Sequence, residues 1–239
     1  MANSNISSNY DEIKKKYKES KLLIVDLDGT LIDFEKIDNI IIAELFPDSR
    51  VINTIDNILW KVNRLDVFGN GYAGLKLRLA VYSLFSKYSL RECKAHYSRI
   101  YSNLARIELY SVYNTTLKYI IENNYDIVIA TKNVYAKNIL ENNIFKIDSK
   151  TREKIKLIVL KKNKKKQFKD LVEKYNGKVC VIGNNLSDDI LNSYRIKSPY
   201  IYIGNSKIVN IVIKFTNKIL GKKGMQFKSI KSIKKIFTE

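Results

Sequence analysis

A short segment near the N-terminus constrains the fold of this chain more than any other. The apolar run Leu22–Val25 is followed by the carboxylates Asp26 and Asp28 and then by Gly29. A short apolar run with branched residues is typical of a strand buried on both faces. A glycine at its end breaks the strand and lets the backbone approach a ligand closely.

The two carboxylates are separated by one residue. Side chains two positions apart at a strand end point to the same side, so Asp26 and Asp28 are expected to lie together. Two negative charges so placed are unfavourable unless a cation lies between them. A strand followed by an acidic turn is the structural alternative, and the segments described below count against it.

Length and composition limit the class of protein. The chain has 239 residues with 45% hydrophobic content, enough for one large domain, or for a core domain with an insertion. Only Cys93 and Cys180 are present, so neither a disulfide framework nor a zinc site is supported. No run approaches the roughly 18 apolar residues of a membrane span. The N-terminus does not resemble a secretory signal, and a cytoplasmic location is expected.

Positive charge is the most unusual bulk property. The formal net charge is +19, and residues 151–239 contain 22 Lys or Arg against 6 Asp or Glu, so 16 of the 19 charges lie there. Such a field attracts nucleic acid, anionic membrane surfaces or phosphorylated substrates. A lysine-rich solvated surface without a partner is the alternative.

Short apolar runs alternate with helical patterns over most of the chain. This rhythm predicts an α/β fold with a parallel sheet and helices on both faces. A helix is also predicted near the C-terminus, at Ser229–Phe237. Strands are predicted at Leu22–Asp26, Asp126–Ala130, Ile155–Leu160, Val179–Ile182 and Tyr200–Ile203.

One region departs from this rhythm. Between about Asp33 and Glu108, apolar residues recur at helical spacing and no strand-like alternation interrupts them. The region is therefore predicted to be a four-helix insertion. Its helices are expected at Ile37–Leu45, Val51–Val62, Leu75–Tyr88 and Leu90–Ile107.

Polar residues follow the later strands as well. Thr131, Lys132 and Asn133 come after the second strand, five lysines lie within residues 161–166, and the polar segment 183–189 follows the fourth strand. The carboxyl ends of parallel strands collect ligand-binding residues. A threonine hydroxyl there can donate to a phosphoryl oxygen, although taken alone Thr131 is an ordinary helix cap.

Together, these segments resemble the four motifs of the haloacid dehalogenase-like (HAD) phosphohydrolase superfamily, in the same order. The first is Asp26-Leu27-Asp28-Gly29-Thr30, the second ends in Thr131, the third is the lysine run, and the fourth begins at Gly183. The resemblance implies a Rossmann-like parallel sheet core with an inserted α-helical cap. It divides the chain into a core of residues 1–32 and 109–239 and a cap of residues 33–108.

The resemblance also implies roles for these residues. Asp26 would be the nucleophile, Asp28 the general acid and base, and one lysine would offset the charge of the phosphoryl group. Alignment of the following helix favours Lys165 for that lysine, whereas counting from the strand end favours Lys162. Thr131, with Lys132 and Asn133, would bind the phosphate of the substrate.

A Mg²⁺ site is implied at the same place. Its ligands would be Asp26, the backbone oxygen of Asp28, and Asp188, with Asp189 as an alternative to Asp188. Where this chain has Asn184 the family has an acidic residue, and Asn184 would complete the ligand set by offering an oxygen, directly or through water, without a charge. Because Mg²⁺ commonly uses only one or two carboxylates, its binding is expected to survive in weakened form.

Three functional hypotheses follow. The first is a Mg²⁺-dependent phosphatase that acts on a small phosphorylated metabolite through an aspartyl-phosphate. The second is a phosphatase drawn by the basic half to nucleic-acid or lipid-linked phosphate. The third is a binding module whose activity is weakened by Asn184. The basic, apolar-rich segment Ile208–Leu220 is either a helix that covers the sheet or one that lies on an anionic membrane.

Overall fold

A single parallel sheet organises the chain. The computed structural model describes residues 15, 17–45, 54, 71–133, 135–141, 153–159, 164–205, 207–220, 224–233 and 236–237. Within them the sheet has six strands in the order β3-β2-β1-β4-β5-β6, and every neighbouring pair is parallel. The strands are β1 Leu22–Val25, β2 Asp126–Thr131, β3 Ile155–Val159, β4 Val179–Gly183, β5 Tyr200–Ile203 and β6 Gly224–Phe227.

Strand β1 lies inside the sheet, between β2 and β4, and is buried on both faces. Leu23 and Val25 pack into one hydrophobic layer, and Leu22 and Ile24 pack into the other. Full burial of an aliphatic side chain contributes about 1.5–3 kcal/mol, which explains why every position of this strand is apolar. The predicted α/β fold and its first five strands are confirmed.

The sixth strand was not predicted. It begins at Gly224, where an added Cβ would lie 2.0 Å from a ring carbon of Tyr200, so a residue without a side chain is required. A four-residue strand that starts with glycine and contains Gln226 lacks the apolar run that identifies the other strands. The predicted helix Ser229–Phe237 was wrong over its first part, where a 3₁₀ turn spans Ile230–Ile233.

Helices fill the connections between strands. Three of the four predicted insertion helices are confirmed, at Phe34–Leu45, Gly71–Phe85 and Leu90–Val112. The remaining one, Val51–Val62, lies almost wholly outside the described residues. The α-helices are α1 Phe34–Leu45, α2 Gly71–Phe85, α3 Leu90–Val112, α4 Lys118–Glu122, α5 Ala136–Glu141, α6 Lys164–Lys174, α7 Leu191–Arg195 and α8 Lys207–Leu220.

Helix α3 leads from the predicted insertion back toward β2 without a loop. It begins at a capping box in which Ser89 accepts from the Glu92 amide and the Glu92 side chain accepts from the Ser89 amide. It ends in a π-helical turn, Tyr113–Leu117, that continues directly into α4. The boundary between residues 108 and 109 therefore falls inside a helix, and the division into core and cap remains a prediction.

Helix α8 covers part of the sheet. Ile213 is buried in the same hydrophobic layer as Tyr200 and Tyr202, which supports the sheet-covering interpretation. On its outer side, Ile211 and Phe215 are 66% and 63% exposed. Among the described residues, no helix combines the length and apolar character that crossing a membrane requires.

Candidate active site

The two carboxylates of the first motif lie at the carboxyl end of β1. The Asp26 amide donates to the Ile182 carbonyl of β4 at 2.9 Å, which extends the strand pairing up to the first carboxylate. Gly29 follows with a φ of 75°, a conformation that glycine adopts without steric cost. An added Cβ at Gly29 would lie 1.9 Å from Nδ2 of Asn184, so the missing side chain admits the Asn184 amide.

Lys164 binds the nucleophile candidate directly. Its Nζ donates to Asp26 Oδ1 at 2.7 Å and to Asp189 Oδ1 at 2.6 Å, and all three side chains are largely or fully withdrawn from solvent. Burial lowers the pKa of Lys164, but the two carboxylates outweigh it and raise that pKa above its ordinary value. The ammonium therefore stays charged.

The same cluster holds its carboxylates at raised pKa values. Burial raises the pKa of Asp26, although Lys164 opposes the shift. Burial also raises the pKa of Asp189 to about 7, with Lys164 opposing and Asp26 adding to the shift. Two buried carboxylates share one ammonium here, so the cluster carries an uncompensated negative charge when both are ionised.

The lysine that lies beside Asp26 is one that the sequence did not favour. Lys164, the first residue of α6, lies beside Asp26, whereas Lys165 is exposed and Lys162 lies outside the described residues. Lys164 was not favoured because five lysines in six positions give no local distinction. The signal that selects Lys164 is Phe168, which lies four residues later on the same helix face and is also buried.

The fourth motif places its two adjacent carboxylates differently. Asp189 lies in the buried cluster, where its Oδ2 accepts from the Asn185 amide at 3.1 Å. Asp188 instead forms a 2.6 Å ion pair with Lys132, and both of these side chains are about one-quarter exposed. Of the two residues, Asp189 is therefore the one that shares Lys164 with Asp26, and metal binding by Asp188 or Asp189 remains a prediction. Lys132 reaches the same edge of the sheet as expected.

Asp28 lies between two donors. Tyr101 Oη donates to Asp28 Oδ1 at 2.5 Å, and Asn133 Nδ2 lies 3.0 Å from Oδ1 and 2.9 Å from Oδ2. Burial raises the pKa of Asp28, and these hydrogen bonds oppose the shift. Asn133 was predicted at the site from the sequence, whereas Tyr101, 73 residues from Asp28 and within the predicted insertion, was not.

Thr131 is the buried last residue of β2. Its Oγ1 accepts from the Asn133 amide at 3.1 Å. Thr131 therefore makes a local capping contact, the ordinary role that the sequence offered as the alternative to phosphate binding. The bond uses an oxygen lone pair, so the hydroxyl hydrogen is not consumed by it. Binding of phosphate by Thr131 remains a prediction.

The donor set near Asp26 suits a hard cation. Asp26 offers a carboxylate, Asn184 an amide oxygen and Asp28 a backbone oxygen, and Mg²⁺ prefers oxygen ligands. Within the described part of the chain, no group of three or more His, Cys, Asp or Glu side chains is placed to hold a metal ion. The residues fit Mg²⁺ only with water and substrate oxygens as further ligands.

Comparisons with solved structures agree with this architecture. The chain is similar to the HAD-hydrolase YfnB from Bacillus subtilis, described as bound to magnesium, with a TM-score of 0.62 and 12% identity over 92% of this chain and 99% of that chain. It is similar to a haloacid dehalogenase-like family hydrolase from Xanthomonas campestris (TM-score 0.50, 16% identity, 89% and 88% covered). It is also similar to CbbY from Rhodobacter sphaeroides in complex with phosphate (TM-score 0.50, 12% identity, 90% and 96% covered).

These likenesses define the class of structure. The chain has the α/β fold of HAD hydrolases, as the sequence motifs predicted. No protein-family model and no curated protein sequence matches the chain. At identities of 12–16% the structural likeness shows the fold, and the activity has to be argued from the site.

Proposed function

We propose that the chain is a HAD-superfamily phosphatase that hydrolyses a small phosphorylated metabolite with Mg²⁺ through an aspartyl-phosphate. The observation that supports this most is the different treatment of the two carboxylates at the end of β1. Asp26 is bound by the ammonium of Lys164, and Asp28 is bound by the neutral donors Tyr101 and Asn133. Two carboxylates in different environments suit two chemical roles.

In the first step, Asp26 is the nucleophile. A carboxylate oxygen of Asp26 forms a bond to phosphorus while the ester P–O bond breaks, which leaves an aspartyl-phosphate. Asp28 gives its proton to the departing oxygen, so the product leaves as an alcohol. Lys164 and the Thr131 hydroxyl would hold the transferring oxygens, because both lie at this edge of the sheet.

In the second step, water attacks phosphorus and the bond between phosphorus and the Asp26 oxygen breaks. Asp28 accepts a proton from that water and so returns to its starting state. Its raised pKa, caused by burial, favours a carboxyl that is able to give and take a proton. Asp26 is regenerated as the carboxylate, and inorganic phosphate is released.

Mg²⁺ would be held by Asp26, Asn184 and the backbone oxygen of Asp28. When bound, it would offset the repulsion between the Asp26 carboxylate and the incoming phosphate. YfnB is described as bound to magnesium and CbbY as in complex with phosphate, and by analogy of fold both support a Mg²⁺ and phosphate site here. By resemblance, dehalogenase members lack an acid and base at the position of Asp28, so its presence favours phosphate ester chemistry.

The test is hydrolysis of para-nitrophenyl phosphate with and without Mg²⁺. We expect Mg²⁺-dependent release of para-nitrophenol that is abolished in Asp26→Asn, while the variant keeps the circular dichroism spectrum of the wild type. Asp170→Asn, an exposed carboxylate on α6, is the matched control and should retain full activity. Normal turnover by Asp26→Asn would refute the mechanism.

Absence of turnover in the wild type would leave the third hypothesis, a binding module. A metal-dependent complex with a phosphate-mimicking fluoride would then separate a competent site that rejects the artificial ester from a weakened one. Failure to form that complex would favour the binding module.

A second substrate class is favoured by the basic half of the chain. Helix α8 exposes Ile211 and Phe215 beside the exposed Lys207 and Lys214, a combination suited to phosphate carried on an anionic lipid surface or a nucleic acid. Catalytic efficiency on such a polyanionic substrate would fall steeply with salt, whereas efficiency on para-nitrophenyl phosphate would change little. Equal salt dependence for both would contradict this second class.

A further inference from the structure

Tyr101 joins the predicted insertion to the acid–base candidate Asp28 through a hydrogen bond. It is fully buried in helix α3, and its hydroxyl donates to Asp28 Oδ1 at 2.5 Å. We propose that Tyr101 is a positioning residue that fixes the Asp28 carboxyl so that Oδ2 is the oxygen that carries the transferable proton. This inference rests on the proposed function and deepens it.

The bonds around Asp28 distinguish its two oxygens. Oδ1 accepts from Tyr101 and is also 3.0 Å from Asn133 Nδ2, whereas Oδ2 has the 2.9 Å contact with Asn133 Nδ2. A carboxylate has about two lone-pair sites on each oxygen. Tyr101 and Asn133 together therefore take up the two sites of Oδ1, whereas Asn133 alone contacts Oδ2 and leaves one site there for a proton.

The donor that faces Asp28 from the core is itself oriented. Asn133 Oδ1 accepts from the Tyr135 amide at 2.8 Å, which directs the Nδ2 group toward Asp28. Asn133 Nδ2 also lies 2.5 Å from the Tyr101 oxygen. The tyrosine and the asparagine therefore act as a pair, one from the insertion and one from the core.

The position of Tyr101 is set by a column of buried groups. Its ring stacks on Tyr97, with centroids 5.9 Å apart and planes inclined by 9°. Tyr97 donates to Asp38 Oδ1 at 3.0 Å, and Asp38 forms a buried ion pair with Arg78. These four residues come from α1, α2 and α3, so the packing of all three helices determines where the Tyr101 hydroxyl lies.

This arrangement has a kinetic consequence that depends on the leaving group. An acid matters most when the departing oxygen is strongly basic, as in an alkyl phosphate, and little for para-nitrophenolate, which departs as an anion. Loss of the Tyr101 hydroxyl would leave the Asp28 carboxyl held by Asn133 alone and less tightly fixed. The penalty should therefore fall on esters that need the proton, and small misplacements of reacting groups are costly.

The experiment compares Tyr101→Phe with wild type on para-nitrophenyl, phenyl and ethyl phosphate. We expect kcat/KM of the variant to fall about tenfold or more on ethyl phosphate and less than about threefold on para-nitrophenyl phosphate. Tyr110→Phe is the matched control, because Tyr110 lies on the same helix as Tyr101 but is 50% exposed and outside the buried column. Its effect should be the same on all three esters.

A double-mutant cycle with Asp28→Asn tests whether Tyr101 acts through Asp28. In the Asp28→Asn background, Tyr101→Phe should produce no further dependence on the leaving group. An equal loss on all three esters, or a leaving-group effect that persists without the Asp28 carboxyl, would overturn the inference while leaving the phosphatase proposal intact. A wild type that hydrolyses none of the esters and forms no metal-dependent complex with a phosphate-mimicking fluoride would overturn both.

Discussion

Replacing Lys164 by methionine tests the electrostatic core of the site. The substitution keeps the length and apolar character of the side chain but removes the ammonium that Asp26 and Asp189 share. Both carboxylates remain at the same buried positions, without the cation that offsets their charge. The change therefore isolates the charge of Lys164 from its packing.

The expected loss of stability is large. Breaking a buried ion pair by removing one partner costs about 3–5 kcal/mol, because the other charge stays buried and uncompensated. For a chain of this size each kcal/mol lowers the melting temperature by about 2–4 °C, so a decrease of about 6–20 °C is expected. Lys165→Met, at the exposed neighbouring position, should change the free energy of unfolding by no more than about 0.5 kcal/mol.

The deficit should depend on pH with a definite sign. Burial already raises the pKa of Asp189 to about 7 and raises that of Asp26, and losing the ammonium raises both further. Between the ordinary and the raised values, the folded state binds protons that the unfolded state lacks, so lowering the pH favours folding. The stability difference between Lys164→Met and wild type should therefore be largest near pH 8 and shrink toward pH 5.

Thermal denaturation followed by circular dichroism, in EDTA to remove divalent metal, measures this directly. Between pH 5 and pH 8 Lys164 stays protonated in the wild type, because its pKa is raised above its ordinary value. The charge that the variant lacks is therefore the same at every pH of the comparison. A melting temperature within about 2 °C of wild type at pH 8 would contradict a destabilisation of this size. A deficit that grows as pH falls would contradict the assigned sign.

Two further substitutions test the region around β1. Asn184→Asp adds a second carboxylate to the metal donor set, so the Mg²⁺ concentration for half-maximal activity should fall; an unchanged titration would remove Asn184 from that set. Gly29→Ala places a Cβ at a φ of 75° and against the Asn184 amide, so the free energy of unfolding should drop by about 1–2 kcal/mol or more, as measured by urea denaturation. Unchanged stability would mean that the turn relaxes at no cost.

The fold was predictable because its information is local. The run Leu22–Val25 and the acidic pair after it specify a buried strand and the edge where a site forms, and both lie where expected. Strand β6 was missed because its identity depends on Tyr200 of the neighbouring strand, which leaves no room for a side chain at Gly224. That requirement is a contact between distant residues and has no periodic pattern.

Details of the site depended on geometry that sequence spacing does not contain. Asp188 and Asp189 are adjacent, and the choice between them is set by the π-helical turn Leu186–Ile190, whose period differs from the α-helical one. Lys164 and Phe168 share a spacing that would have identified the buried lysine, but only once the first residue of α6 was known. Tyr101 carried no local signal at all.

Because no loop separates α3 from the π-helical turn and α4, a bend at that turn would move α3 as a rigid unit. Tyr101 lies about 14 residues, or about 21 Å along the helix axis, from the middle of the turn Tyr113–Leu117. A bend of about 10° at that turn would displace Tyr101 by about 4 Å, enough to break its bond to Asp28. A small rotation far from the reacting atoms would thus decide whether the Tyr101 hydroxyl reaches Asp28.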